Sequence, residues 1–117
     1  MAKRDAGMLS IDERATYKQA KRLLKQYHLL ENVSQQQATS KTGHEARETI
    51  TAINEAIDKM NIPEYQVTIR LLFIERKPHI EVANELALSI RTLFDYQVKA
   101  LVEFATLYQL SDLIVWR

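Results

Sequence analysis

Cysteine is absent from the 117-residue chain, which excludes disulfides and thiolate metal sites. The absence fits a reducing compartment, and we therefore expect a cytoplasmic protein. Glycine and proline occur only twice each, whereas sheet proteins need more of these turn-forming residues. No apolar run approaches the ~18 residues of a membrane span, so no contact with a membrane is expected. Together with plentiful Leu, Ala, Glu, Gln, Lys and Arg, these absences predict an all-α chain.

The composition of the chain is that of an ordinary folded protein. Hydrophobic residues make up 46% and charged residues 26% of the chain, which excludes a disordered protein. A chain of this length buries one core with at most a small satellite beside it. The formal net charge is +1, so a nucleic-acid-binding protein with this balance must concentrate its positive charge locally.

About five helices are expected, in three parts of the chain. After a frayed leader at 1–9, the first part, 1–31, forms a basic amphipathic helix. The capping-box spacing of Ser10 and Glu13 predicts that this helix begins at Ser10, and its apolar stripe continues to about Leu30. The polar segment 32–43 is expected to be a linker. The third part, 44–117, forms a helical domain.

The first helix carries a row of cations beside its apolar stripe. A solvated helix face is the simpler interpretation of this row. The functional interpretation is a surface that makes secondary contacts with the phosphates of DNA. The four residues concerned are Lys18, Lys21, Arg22 and Lys25.

Residues 79–104 have the pattern of a helix-turn-helix. A short helix is predicted from His79 to Leu86, in which Ala83 marks a close approach of two helices. A turn follows, and Ser89 stands where a second helix needs an N-cap. Leu93 follows Ala83 at the offset at which the two helices pack on each other. The second helix is predicted to continue to about residue 110, and the apolar tail, 111–117, is expected to pack on the rest of the chain.

The sequence contains no pattern typical of an enzyme. No glycine-rich phosphate loop, nucleophile elbow or dinucleotide fingerprint occurs, so we expect neither catalytic residues nor a cofactor. His44 and Glu48 lie four residues apart on a helix face. Two such ligands without a second pair are more simply surface residues, and we therefore expect no metal site.

The order of residues from Ile62 to Phe104 resembles region four of bacterial sigma factors. The matching residues are Ala83, Leu86, Ser89, Leu93 and the pair Ala100-Leu101. More narrowly, residues 100–105 (ALVEFA) are similar to the closing segment of phage transcriptional regulators of the ArpU type. This resemblance implies a sequence-specific regulator of phage or prophage late genes. Its partner would be double-stranded DNA, and it would act as a homodimer or beside RNA polymerase.

The same resemblance implies that the second helix of the helix-turn-helix lies in the major groove. Arg91 and Thr92 are then the candidates for contacts with base edges, on an outward face that Asp95 shares. The candidates for phosphate contacts are Arg76, Lys77 and Lys99. On the same face, Ile90 and Phe94 could contact thymine methyl groups.

Departures from the family pattern leave a second function open. The family favours glycine in the turn where this chain has Ala87, and it usually has several cations where only Lys99 remains. Such a module would bind DNA weakly alone, because phosphate neutralisation supplies most non-specific affinity. The alternative is a protein-interaction module on a helix-turn-helix scaffold that has lost its affinity for DNA. It would bind a partner through Ile90, Phe94, Val98 and the tail.

Overall fold

The computed structural model describes residues 10–117, so the expected leader at 1–9 lies outside the described residues. Six α-helices and one π-helical turn make up this part of the chain, which confirms the all-α class, and no strand occurs in it. None of its helices is long and apolar enough to cross a membrane. The helices are α1 (Glu13–Lys25), α2 (Tyr27–Gln36), α3 (Lys41–Asp58), α4 (Pro63–Ile69), α5 (His79–Glu85) and α6 (Ile90–Leu107). Only Gln26 separates α1 from α2, and α4 continues as a π-helical turn (Arg70–Ile74).

The first helix begins later than predicted, because Asp12 rather than Ser10 is its N-cap. The Asp12 carboxylate accepts a hydrogen bond from the Ala15 amide at 3.1 Å. Ser10 is instead paired with the C-terminal tail: its carbonyl accepts from the Arg117 amide at 3.0 Å, and the Asp12 amide donates to the Val115 carbonyl at 2.7 Å. The prediction of a start at Ser10 was wrong because local capping signals contain no information about this distant pairing.

The polar segment expected to be a linker is mostly helical. After Gln26 the chain continues as α2 to Gln36, and α3 begins at Lys41. A short connection, 37–40, remains between them, in which Ser40 caps α3 by accepting from the Gly43 amide at 3.0 Å. Gly43 suits this close turn, since a Cβ there would lie 1.8 Å from the Gln37 carbonyl oxygen. The polar composition of the segment reflects the exposed face of a helix that packs on α3.

The core lies around α6, which packs against α1, α4 and α5. Its largest fully buried side chains come from separate helices: Leu24 of α1, Ile53 and Ile57 of α3, Ile69 of α4, and Leu93, Leu101 and Phe104 of α6. Leu113 of the tail is also buried. The expectation that the tail packs on the chain is therefore confirmed. Burial of one side chain of this size contributes about 1.5–3 kcal/mol to folding.

The connection between α5 and α6 agrees with its predicted bounds. Ala83 is only 2% exposed and Leu93 is fully buried, as their close approach requires. Ser89 has extended backbone geometry, and its hydroxyl accepts from the Thr92 amide at 3.0 Å. Between the helices Ala87 has a φ of 57°, which is the left-handed conformation that favours glycine. The helix α6 ends at Leu107, three residues before its predicted end near 110.

Replacing Ala87 by glycine is expected to stabilise the protein. The left-handed conformation costs alanine about 1 kcal/mol more than glycine, so the melting temperature should rise by about 4 °C. Circular dichroism on heating measures this shift. Ala52→Gly, in the middle of α3, is the matched control and should lower the melting temperature, because helical alanine has no strain to relieve. A fall for Ala87→Gly as well would contradict the strained turn.

Candidate nucleic-acid interface

The outward face of α6 combines polar and apolar side chains at the start of the helix. Since Leu93, Gln97 and Ala100 are buried, the positions between them point away from the core. Ile90 is 37% and Phe94 45% exposed. The other predicted site residues on α6 are exposed (Arg91, Asp95 and Lys99) or partly buried (Thr92). The Thr92 hydroxyl accepts from Ser89 at 2.9 Å and so belongs to the cap of the helix.

His79 connects this face to the interior of the protein. Its ring stacks on Phe94, with centroids 4.9 Å apart and planes 17° from parallel. Its Nε2 lies 2.9 Å from the Gln97 side-chain oxygen, to which it donates. The Gln97 amide in turn donates to the Tyr17 hydroxyl at 3.4 Å. Lys21 donates to the same hydroxyl at 3.1 Å. A chain of polar contacts therefore runs from the surface of α6 to α1.

Sequence reasoning missed His79, Gln97 and Tyr17 as parts of the site. Gln97 is only 1% exposed, and both ends of its amide have partners, as a buried polar group requires. One signal for it was available, because Gln97 falls on the inward stripe of α6 between Leu93 and Leu101. A polar residue on an otherwise apolar stripe needs a partner from another element. The identity of that partner depends on how the helices are arranged.

Three of the predicted phosphate contacts line one cavity with a volume of about 410 Å³, which we call the basic cavity. Lys21 and Lys25 reach it from α1, and Arg76 reaches it from the segment after the π-helical turn. In that turn the Glu75 amide bonds back to the Arg70 carbonyl at 2.8 Å, and Arg76 then has a φ of 58°. The widened turn and this left-handed residue reverse the chain before α5. The cations of α1 and Arg76 thereby meet across the cavity.

The cations of the basic cavity are not neutralised by nearby carboxylates. Within residues 10–117 no ion pair involves Lys21, Lys25 or Arg76. Two histidines also line the cavity, His28 and His79. The His28 ring is already engaged, with Nε2 2.9 Å from the Ile74 carbonyl and Nδ1 3.3 Å from Glu31.

Other predicted contacts lie apart from this cavity. Lys18 and Arg22 are exposed on α1 but do not line the cavity, and Lys99 is exposed on α6. Lys77 is 2.9 Å from Glu85 and 3.7 Å from Glu75. Its hydrogen bond to Glu85 raises the pKa of Lys77 above the ordinary value. Because its ammonium group is paired with two carboxylates, Lys77 is a weaker candidate than Arg76 for a phosphate contact.

Comparison with protein-family models, curated proteins and solved structures gave no match to this chain. The resemblance to sigma region four and to ArpU-type regulators stays a prediction that depends on the residues quoted for it. Function is therefore inferred from the geometry of α5, α6 and the basic cavity.

Proposed function

We propose that the chain is a DNA-binding regulator of transcription. In this proposal α5, the turn at Ala87 and α6 form a helix-turn-helix, and the start of α6 enters the major groove. The family resemblance adds that the regulated genes are phage or prophage late genes. It also adds that the protein acts as a homodimer or beside RNA polymerase.

The face of α6 suits contacts with base edges. Arg91 and Asp95 are exposed near its beginning, where a recognition helix makes its base contacts. An arginine can donate two hydrogen bonds to guanine, and an aspartate can accept one from cytosine. Ile90 and Phe94 add exposed apolar surface of the kind that contacts thymine methyl groups.

The single observation that carries the proposal is the position of His79 between two surfaces. His79 stacks on Phe94 of the α6 face and also lines the basic cavity. The unpaired cations of that cavity are therefore adjacent to the face that would enter the groove. A chain with a net charge of +1 needs such a local concentration of positive charge, because phosphate neutralisation supplies most non-specific affinity for DNA.

A titration of duplex DNA at several salt concentrations tests the proposal. With DNA from upstream of the protein's own gene, the log–log slope of affinity against salt should have a magnitude of about 3 to 6. Arg76→Ala removes one phosphate contact and should lower that magnitude by about 1. Fluorescence anisotropy of labelled duplexes measures both quantities.

The matched control removes the neighbouring cation together with its partner. Lys77→Ala combined with Glu85→Ala deletes an ion pair and leaves the net charge unchanged. This double variant should retain the parent slope, because Lys77 is already neutralised locally. A flat salt response of the parent protein, or no binding to any duplex at low salt, would contradict DNA binding.

A second candidate function is supported by the apolar surface itself. Ile80 is 59% exposed on α5, and Ile90 and Phe94 are exposed on α6. Four carboxylates accompany these residues on the same stretch of chain: Glu75, Glu81, Glu85 and Asp95. Such a surface is suited to a protein partner or to a second copy of the chain, as in helix-in-groove recognition.

A further inference from the structure

The basic cavity has the size of a small-molecule site. Its volume of about 410 Å³ falls in the range of ~300–1,000 Å³ that is usual for such sites. It lies between α1, the start of α2, the π-helical turn with the segment that follows it, α5 and α6. Most of its wall therefore belongs to helical elements that pack together in the fold.

The wall of the cavity combines cationic and apolar side chains. Lys21, Lys25 and Arg76 supply positive charge, and no Asp or Glu of residues 10–117 lines the cavity. Leu24, Leu72 and Phe73 also line it, and all three are buried in the core. Gln97 adds a polar group whose side chain is oriented by His79 and Tyr17.

This combination indicates the class of ligand. An inorganic anion would pair with the cations but would leave the apolar residues uncovered. A neutral apolar molecule would cover those residues but leave the cations unpaired. We propose that the basic cavity binds a small organic anion, in which a carboxylate, sulfonate or phosphate group is attached to an apolar body.

This ligand site goes beyond the proposed function, since it requires no affinity for DNA. The acidic group of the ligand lies against Lys25 and Arg76, which make charge-assisted hydrogen bonds to it. Its apolar body lies on Leu24, Leu72 and Phe73. His79 stands at the boundary between this ligand and the face of α6.

A pair of fluorescent probes with the same apolar rings tests the proposal. Anilinonaphthalene sulfonate has an acidic group, and phenylnaphthylamine is its neutral counterpart. The protein should bind the sulfonate at one site, about tenfold or more tightly than the neutral probe, because only the sulfonate pairs with the cations. In amide and side-chain NMR spectra, the sulfonate should shift the resonances of Leu24, His28, Phe73 and His79.

Two double variants that remove the same amount of charge test where the sulfonate binds. Lys25→Gln with Arg76→Gln should weaken the sulfonate about tenfold, by loss of charge-assisted hydrogen bonds. The control, Lys41→Gln with Lys59→Gln, removes the same charge from exposed positions on and just after α3 and should leave the affinity unchanged. Circular dichroism establishes that each variant remains folded.

Four results would overturn the proposal. Equal affinity for the two probes would show that the cations do not participate. Displacement of the sulfonate by inorganic sulfate at comparable concentration would show a site for simple anions. Shifts spread over other surfaces, or equal weakening by both double variants, would show that the basic cavity is not the site. None of these results depends on a DNA titration, so failure here and failure of the proposed function are distinguishable.

Discussion

Replacement of Ala83 by glutamate should remove several kcal/mol from the free energy of unfolding. Ala83 is 2% exposed at the contact of α5 with α6, and its carbonyl accepts from the Leu88 amide at 2.8 Å. A longer side chain there must separate the two helices or bury a carboxylate without a partner. Either outcome costs about 3–5 kcal/mol, which is a large part of the total stability of a small domain.

Chemical denaturation followed by circular dichroism measures this loss. Asn84→Glu is the matched control, because the next residue of α5 is exposed and receives the same added charge. It should change the free energy of unfolding by no more than about 0.5 kcal/mol. Equal stability of the parent and the Ala83→Glu variant would show that α5 and α6 do not pack as described.

Truncation of Phe94 to alanine should cost about 2 kcal/mol of binding free energy in whichever interaction uses the face of α6. The side chain is 45% exposed and stacked on His79, so it presents a rigid apolar anchor beside the basic cavity. In the DNA-binding proposal the variant binds duplex DNA more weakly and keeps its oligomeric state. In the protein-interaction alternative it dissolves a dimer or loses its partner.

Sedimentation and DNA titration of the same Phe94→Ala sample separate these outcomes. Leu29→Ala is the control, because it removes an apolar side chain that is 63% exposed on α2 and lines a different groove.

Replacement of Arg91 by alanine should cost about 1–3 kcal/mol of DNA-binding free energy on sequences that carry the preferred base. Parent-like behaviour of both α6 variants in both assays would show that this face is not the binding surface.

Local chemistry explains why α5, the turn and α6 could be predicted closely. Pro78 ends helical geometry before itself and suits the start of α5, and Ser89 caps α6 with its own hydroxyl. Each of these signals acts within one helical turn. The strain at Ala87 could be anticipated for the same reason, since a tight connection needs a left-handed residue whatever its neighbours are.

Prediction from local signals failed where a distant part of the chain pairs with or packs on the segment concerned. Ser10 and Asp12 are both good N-caps, and pairing of Ser10 with Arg117 leaves Asp12 to cap α1. The polar segment 32–43 has the composition of a linker, yet its first part belongs to α2, which packs on α3. Composition is averaged over both faces of a helix, whereas packing depends on one face.

The sequence by itself determined the all-α class, the succession of α5, its turn and α6, and the row of cations on α1, because periodicity and capping are properties of short segments. The tertiary structure alone decided that Lys21 and Lys25 face Arg76 across a cavity, whereas Lys77 is neutralised by Glu75 and Glu85. It also decided that His79 joins that cavity to Phe94. Periodicity specifies which face of each helix is buried, but the crossing angles between helices come from the packing of all side chains in the core. Those crossing angles therefore decide which charged side chains of separate helices lie close together.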